Sequence, residues 1–246
     1  MLDLHTHLDL YPNPLNLVRI VNNKNDFTLS MTTSPKAWVL GKEIFKPYSN
    51  IYCALGLHPE IIDKKRNELD LLFSNIPKTR FIGEVGLDFS SQHVATFDLQ
   101  YDTFDKILKC AASVGGRIIS VHSRNATKEV LKLISSNESA GIVILHWFSG
   151  SKIDLYKALD LGCMFSVNPI MTKGRKGQSI ISEIPISSVF PESDGPFAAL
   201  SGRSIMPWET SIVSDYYAHI NNFAREYVEN SFKENLCRIL KTVEVF

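Results

Sequence analysis

The sequence has few cysteines, no excess of charge and no long apolar run, and each shortage excludes a class of protein. Its four cysteines are far apart and form no CxxC pair, so we expect reduced thiols and neither a disulfide framework nor a zinc ribbon. Lysine plus arginine equals aspartate plus glutamate, at 26 each, which argues against a protein that coats nucleic acid through bulk electrostatics. No apolar segment reaches transmembrane length, and the first residues lack the features of a signal peptide. This predicts a cytoplasmic protein without membrane contact.

Length and composition are those of an ordinary globular protein. The chain has 246 residues, of which 44% are hydrophobic and 21% are charged. That length suits one large α/β barrel and does not require two domains. We therefore expect a single barrel domain over residues 1–246.

Short apolar segments alternate with helical patterns along the chain, which is typical of a parallel sheet. Several of these segments are continuous apolar and β-branched runs, as expected for strands buried on both faces. The predicted strands are Met1–Leu4, Asp26–Met31, Ile51–Leu55, Arg80–Glu84, Arg117–Val121, Gly141–Leu145, Cys163–Val167 and Ser188–Glu192. Seven helices are predicted between them, and Ile212–Leu240 is predicted to be mostly helical. Eight such units predict a (β/α)₈ TIM barrel, with an open doubly wound sheet as the alternative.

Residues that can bind metal stand at the ends of the predicted strands. His5 and His7 follow the first strand, and on an extended chain such a pair points to the same side and can bind one ion. The active site of a barrel lies at the carboxyl ends of its strands, so we expect these residues to meet there. The others are Glu84, His122, His146 and Asp194 at strands four, five, six and eight, with His58 after strand three.

This set of histidine nitrogens and carboxylate oxygens suits divalent ions such as Zn²⁺, Mn²⁺ or Mg²⁺. Six ligands exceed what one tetrahedral ion needs. If one carboxylate bridged two ions, the six residues could serve both ions. Two ions roughly 3.5–4 Å apart can clamp the attacking and leaving oxygens of a phosphoryl displacement, and a metal-held water loses a proton near neutral pH. The sequence therefore predicts a two-ion hydrolase.

Six short motifs, taken in order, resemble the TatD family of metal-dependent deoxyribonucleases. They are HTHLD from His5, GLHP from Gly56, GEVGLD from Gly83, HSR from His122, HWFSG from His146 and ESDGP from Glu192. The resemblance implies a (β/α)₈ barrel, DNA as the substrate, and Glu84, Asp194 and His58 as catalytic residues. It implies one ion held by His5, His7, Glu84 and Asp194, and a second held by Glu84, His122 and His146. His58 would contact the phosphate or relay a proton.

Four stretches, one of which is the HWFSG motif, resemble the QatD proteins, which are the TatD-like components of a bacterial anti-phage defence operon. They begin at Leu10, Thr32, His146 and Gly202. This resemblance implies antiviral defence and contacts with other proteins of such an operon. The chain departs from housekeeping members of the family after Pro196, where Gly202–Trp208 replaces their Arg-Asn-Glu-Pro-like run.

Basic and aromatic residues near the predicted strand ends are candidates for contacts with nucleic acid. The basic segment, Lys173–Gly177, follows strand seven and combines three cations with glycines, which suits phosphate contacts. Tryptophan can stack on nucleobases, although packing is its more common fate. The candidates are Arg124, Lys173, Arg175, Lys176 and Arg203 for phosphates, and Trp147 and Trp208 for bases.

Two other functions are alternatives. Barrel metallohydrolases that act on amides or lactones often carry a carbamylated lysine at the end of strand four, whereas this chain has Gly83-Glu84-Val85 there. A binding or assembly subunit of a defence complex is the second alternative, although such a subunit has no need of six placed ligands.

Overall fold

Eight parallel strands follow one another around the molecule in chain order, and a helix follows each of them. The computed structural model describes residues 1–243. The strands are β1 (Leu2–Thr6), β2 (Phe27–Ser30), β3 (Ile51–Cys53), β4 (Phe81–Gly86), β5 (Arg117–His122), β6 (Gly141–His146), β7 (Met164–Val167) and β8 (Val189–Pro191). The helices are α1 (Pro14–Lys24), α2 (Pro35–Phe45), α3 (Leu69–Asn75), α4 (Phe97–Ser113), α5 (Thr127–Ser135), α6 (Lys152–Asp160), α7 (Arg175–Ile181), α8 (Ser211–Asn221) and α9 (Arg225–Thr242).

The strands form a closed ring. Hydrogen bonds join β1, β2 and β3 into one run and β4 to β8 into a second run. A parallel bridge between Leu55 and Ile82 links the two runs. The ring closes where the N–H of Asp194 donates to the carbonyl of His5 at 2.9 Å and the N–H of His7 donates to the carbonyl of Gly195 at 2.8 Å. This closure confirms the (β/α)₈ barrel, and the alternative of an open sheet is wrong.

Local sequence signals account for where several elements begin. Ser34 caps α2 by accepting the N–H of Ala37, and Pro35 occupies the first turn, where its missing N–H costs nothing. Ser151 and Asp154 form a reciprocal capping box at the start of α6. Apolar residues of the central strands are almost fully buried between the helices and the barrel interior. Burial on both faces explains why these strands could be recognised as continuous apolar runs.

The C-terminal part differs in detail from the prediction of one mostly helical stretch. It forms α8 and α9, because Asn222 ends α8 in the left-handed region with φ 54°. A two-stranded hairpin, β9 (Ala199–Leu200) and β10 (Arg203–Ser204), precedes these helices. No helix within residues 1–243 is long and apolar enough to cross a membrane. The single domain over residues 1–246 stays a prediction, and residues 244–246 lie outside the described residues.

Arg117 fills the amino-terminal end of the barrel at the first position of β5. Its buried guanidinium donates to the carbonyl oxygens of Ile76 at 3.0 Å, Pro77 at 3.1 Å, Val114 at 3.0 Å and Gly116 at 2.6 Å. A buried cation that satisfies four carbonyl groups holds the preceding loops against the strand. This end of the barrel therefore has a structural anchor, opposite the end that carries the candidate ligands.

Asp3 ties β1 to the segment that directly follows β8. Its fully buried carboxylate accepts the N–H of Ser193 at 2.9 Å and the hydroxyl of Ser193 at 2.6 Å. Burial raises the pKa of Asp3 well above its usual range. Asp3 precedes His5 by two residues and Ser193 directly precedes Asp194. This contact, the Asp3–Ser193 clasp, therefore aligns the two segments that carry His5 and Asp194.

Candidate metal centre

The six candidate ligands meet at the carboxyl ends of five strands. Five of them have their side chains almost fully buried, and His122 is only slightly exposed. Each arrives from a separate strand except the pair on β1, as the barrel geometry requires. They are His5, His7, Glu84, His122, His146 and Asp194.

Glu84 lies at the middle of this group, and its two carboxylate oxygens face different residues. One oxygen, Oε2, lies 3.2 Å from Nε2 of His7 and 3.5 Å from Nε2 of His5. The other oxygen, Oε1, lies 2.8 Å from Nδ1 of His122 and 3.0 Å from Nε2 of His146. The carboxylate therefore divides the histidines into two sets, one for each oxygen.

Two more residues complete these sets. Oδ1 of Asp194 lies 3.7 Å from Nε2 of His5 and 3.9 Å from Nε2 of His7, on the Oε2 side of Glu84. Nε2 of His58 lies 3.2 Å from Oε1 of Glu84, on the opposite side. His58 is thus close enough to count among the residues that could hold an ion, in addition to the role expected from the sequence.

Glycines allow the backbone to bring Glu84 into this position. Gly86 has φ 135°, which favours glycine, and a Cβ there would collide with the carbonyl of His122 on β5. A Cβ at Gly56 would collide with the carbonyl of Thr32 and the backbone of Gly83. The N–H of Glu84 donates to Thr32, and its carbonyl accepts the N–H of Leu57. Close backbone packing on both sides therefore fixes where the carboxylate points.

Two histidines have a hydrogen-bonded partner on the ring nitrogen that does not face Glu84, and a third has a carboxylate near that nitrogen. Nδ1 of His5 lies 2.8 Å from the hydroxyl of Ser120, and Nε2 of His122 lies 2.8 Å from Oδ2 of Asp88. Nδ1 of His146 lies 3.6 Å from Oε1 of Glu192, which is beyond hydrogen-bond distance. Hydrogen-bonded partners such as Ser120 and Asp88 fix the ring orientation and the tautomer of a metal-binding histidine.

Sequence reasoning missed Asp88, Glu192 and Ser120 as parts of the site. Both carboxylates lie within motifs that point to the site, since Asp88 ends GEVGLD and Glu192 begins ESDGP. Both are fully buried, and Glu192 also accepts hydrogen bonds from Ser166 and Asn168. Each is a carboxylate within a site motif to which no role had been given, and this could have identified both residues from the sequence. Ser120 had no comparable signal.

Charges inside the cluster shift several pKa values. Burial alone would raise the pKa of Glu84, but His58, His146 and His122 outweigh it and hold that pKa well below its usual range. Burial likewise disfavours a charged His146, yet the facing Glu84 and Glu192 raise its pKa well above the usual value. Burial, with the repulsion of His146, lowers the pKa of His5 to about 4, so this ring is neutral at pH 7.

The cluster fits divalent cations on its own chemistry. Nε2 of His5 and both ring nitrogens of His7 are buried and have no hydrogen-bond partner, which is rare for buried polar atoms. When Ser120 accepts the Nδ1–H of neutral His5, the Nε2 lone pair faces the oxygens of Glu84 and Asp194. A lone pair that faces carboxylate oxygens is repelled by them unless a cation or a proton lies between them. His5, His7 and Glu84 offer ligand atoms within 4.8 Å of one another, and so do His58, Glu84 and His122.

A cavity of about 690 Å³ opens above the cluster. Glu84, His122, His146 and Asp194 form its floor. Its walls include Glu60, Ile61, Arg124, Trp147 and Phe197. Of the substrate contacts expected from the sequence, Arg124 and Trp147 therefore border the cavity.

The other expected substrate contacts lie elsewhere in the described chain. Lys173 precedes α7, while Arg175 and Lys176 lie in its first turn, and none of the three lines the cavity. Arg203 is paired with Glu209, at 2.7 Å between Nη1 and Oε2. Trp208 packs against the smaller apolar cluster beside α1, with the amino group of Lys24 4.3 Å from its ring centroid. The basic segment is thus partly helical and stands outside the cavity.

The chain is similar to known proteins over nearly its whole length. A family model described as TatD related DNase matches residues 2–241. A human protein named deoxyribonuclease TATDN3 is 27% identical, over 92% of this chain and 84% of that protein. A Buchnera aphidicola protein named uncharacterized metal-dependent hydrolase BU355 is 29% identical, over 88% of this chain and 89% of its own length. The crystal structure of YjjV, a TatD homologue from Escherichia coli, shares the fold with a TM-score of 0.84 at 21% identity, over 96% of this chain and 95% of that one.

Proposed function

Because this chain belongs to the family of TatD related DNases, and so to the metal-dependent hydrolases, we propose that it is a nuclease that cleaves phosphodiester bonds of DNA with two divalent ions. The observation that supports two ions is the division of the histidines between the two oxygens of Glu84. The name of the human relative, a deoxyribonuclease, supports DNA as the substrate.

In this proposal, one ion would be held by His5, His7, Glu84 and Asp194, and the other by Glu84, His122 and His146. Histidine nitrogens with carboxylate oxygens accept Zn²⁺, Mn²⁺ and, less readily, Mg²⁺, and the supply in the cell decides among them. Such ions, when bound, lower the pKa of water near neutrality and stabilise charge on a phosphoryl oxygen.

His58 is proposed to donate a hydrogen bond to the substrate. The N–H of Glu60 donates to Nδ1 of His58 at 3.2 Å, so the neutral ring carries its own proton on Nε2. That nitrogen points toward Glu84, and His58 lines the cavity. A hydrogen-bond donor at this position suits a phosphate oxygen, whereas protonating a departing alkoxide would need the imidazolium form of His58. Arg124 and Trp147 would contact the substrate from the walls.

The two alternatives fit the site less well. β4 carries Glu84 and has no lysine that could become a bridging carbamate, which weighs against an amide or lactone hydrolase. A pure assembly subunit has no use for buried histidine nitrogens without hydrogen-bond partners, because burying them costs stability. Phosphodiester hydrolysis uses every member of the cluster.

The replacement Glu84→Gln tests the proposal. Glutamine keeps the volume of the side chain but removes its charge and one of its two equivalent oxygens. We expect a folded protein that binds fewer ions and hydrolyses DNA at least about a hundredfold more slowly than the wild type. Glu68→Gln, at a buried glutamate outside the site, is the matched control.

Both variants and the wild type are loaded with Mn²⁺ or Zn²⁺, and the metal per chain is measured by elemental analysis. The same preparations are incubated with end-labelled single-stranded and double-stranded DNA and with RNA, and the product sizes are read. A Glu84→Gln protein with two ions and nearly full activity would falsify the proposed role of Glu84. A wild type that binds ions but cleaves none of the strands would contradict nuclease activity.

We also propose a role in anti-phage defence, together with other proteins of a defence operon, from the resemblance of four sequence stretches to QatD. A cytoplasmic location likewise stays a prediction from the sequence. Cells that carry the operon with wild-type or Glu84→Gln protein are challenged with phage, and plaques are counted. Protection that needs Glu84 supports a catalytic role in defence, whereas protection that survives the replacement favours an assembly subunit.

A further inference from the structure

Phe197 is a large apolar side chain that remains exposed at the mouth of the candidate site. Its exposed fraction is 61%, and it lines the same cavity as Glu84 and His146. It follows Asp194 by only three residues. An exposed phenylalanine beside a polar, charged cluster leaves apolar surface in water, which is unfavourable unless a ligand covers it.

The exposure of Phe197 does not come from a loosely held segment. The N–H of Ala198 donates to the carbonyl of Asp194 at 2.8 Å, and the N–H of Ile205 donates to the carbonyl of Ala198 at 2.9 Å. The hydroxyl of Ser204 donates to the carbonyl of Pro196 at 3.1 Å. These bonds fix the turn on both sides of Phe197, so the position of its backbone is set before any ligand arrives.

One contact orients the ring. Phe197 meets the imidazole of His7 at a centroid distance of 5.0 Å and an interplanar angle of 85°. This edge-to-face geometry is favourable and holds the ring above a candidate ligand. Most of the side chain still remains exposed, so the contact with His7 accounts for its orientation but not for its exposure.

The charges of the cavity favour contact with a base over contact with many phosphates. Within residues 1–243, Arg124 is the only lysine or arginine that lines the cavity. Its Nη1 atom lies 3.9 Å from Oε1 of Glu60, which offsets part of its charge. Trp147 and Ile61 add apolar surface to the walls. A nucleotide in this cavity would therefore meet more aromatic and apolar surface than positive charge.

We propose that Phe197 stacks on a nucleobase adjacent to the phosphate at the metal centre and thereby positions that phosphate. This role rests on the proposed nuclease function. Stacking on an aromatic side chain tolerates any base, because every base has a π face. Phe197 is thus a positioning residue, and it acts through the base and not on the reacting phosphate.

Binding to two strands of equal charge tests this role. One is a fluorescein-labelled ten-nucleotide thymidine strand, and the other has the same backbone with abasic residues throughout. Both carry phosphorothioate linkages to resist cleavage, and affinity for the metal-loaded full-length protein is read from fluorescence anisotropy. Variants are Phe197→Ala, Phe197→Trp and Phe223→Ala, the last at a phenylalanine that is 40% exposed near the start of α9. Metal content is measured for every protein.

We expect wild type to prefer the strand with bases. Phe197→Ala should lose on the order of tenfold in affinity for that strand and keep its affinity for the abasic strand. Phe197→Trp should keep the preference, and Phe223→Ala should leave both affinities unchanged.

Three results would overturn the role. Equal binding of both strands by the wild type excludes base stacking while leaving the nuclease proposal intact. An equal loss for both strands, or a lower metal content, in Phe197→Ala would show that the ring acts only by covering His7. A wild type that binds neither strand contradicts the nucleic-acid substrate itself, and with it the role of Phe197.

Discussion

The replacement Asp88→Asn should weaken metal binding although Asp88 is not itself a proposed ligand. Oδ2 of Asp88 lies 2.8 Å from Nε2 of His122, and Oδ1 accepts the N–H of Ser90 at 2.8 Å. A carboxylate accepts only, so it favours the His122 tautomer with the proton on Nε2. That tautomer leaves the lone pair of Nδ1 on the side of Glu84, where the second ion is proposed.

Asparagine has nearly the same shape but reverses this preference. If its oxygen keeps the bond to Ser90, its NH₂ group faces Nε2 of His122, and the proton of the ring moves to Nδ1. If the amide turns over, its NH₂ group meets the N–H of Ser90 and both donors remain unsatisfied. Removing such an orienting partner typically costs about 10–100-fold in metal affinity, which corresponds to ~1.4–2.8 kcal/mol.

Competition with a chromophoric chelator measures the affinity for Mn²⁺ or Zn²⁺ in the wild type and the variant. Asp105→Asn on α4 is the control, because that aspartate pairs with Lys109 away from the site. We expect weaker binding of one ion in Asp88→Asn, slower DNA hydrolysis and an unchanged far-ultraviolet circular dichroism spectrum. An affinity within about twofold of wild type would refute the argument, since Asp88 would then not set the tautomer.

Two further predictions concern residues away from the ligands. Arg117→Met should lower the free energy of unfolding by about 3 kcal/mol or more, because it leaves four carbonyl oxygens without their donor, and urea unfolding measures the loss. A change below about 1 kcal/mol would mean that water replaces the guanidinium. Replacing the three cations of the basic segment by alanine should leave the cleavage rate of a short strand unchanged, because they stand outside the cavity. For long DNA, the slope of the logarithm of the binding constant against the logarithm of the salt concentration should fall by about one unit for each phosphate that a removed cation had bound. An unchanged slope would show that the basic segment is an ordinary solvated surface.

Most of the barrel could be predicted from the sequence because its strands are buried on both faces. The predicted segment Gly141–Leu145 and the observed strand Gly141–His146 differ by one residue. The hairpin of β9 and β10 could not be predicted, since two-residue strands carry no periodic signal. The break at Asn222 was missed because an asparagine in the left-handed region looks like any other polar residue in the sequence.

The candidate site could be predicted only in part, for a similar reason. His122 and Asp88 both follow apolar strands, and spacing alone does not distinguish a ligand from the carboxylate that orients it. The basic segment follows β7 as predicted, yet α7 begins at Arg175 and none of the three cations lines the cavity. Phe197 had no chemical signal, because a phenylalanine in a turn normally indicates packing.

The Asp3–Ser193 clasp has a consequence for the time at which the centre can form. It joins residues 190 positions apart, and closing so long a loop lowers the conformational entropy of the chain before stabilising contacts can form. Five of the six candidate ligands have been synthesised once His146 is made, but Asp194 comes with the last strand. Until β8 emerges from the ribosome, the outer edges of β1 and β7 have no neighbour and His5 has no facing Asp194. A growing chain therefore cannot assemble the complete centre, and the proposed nuclease activity is delayed until the barrel has closed.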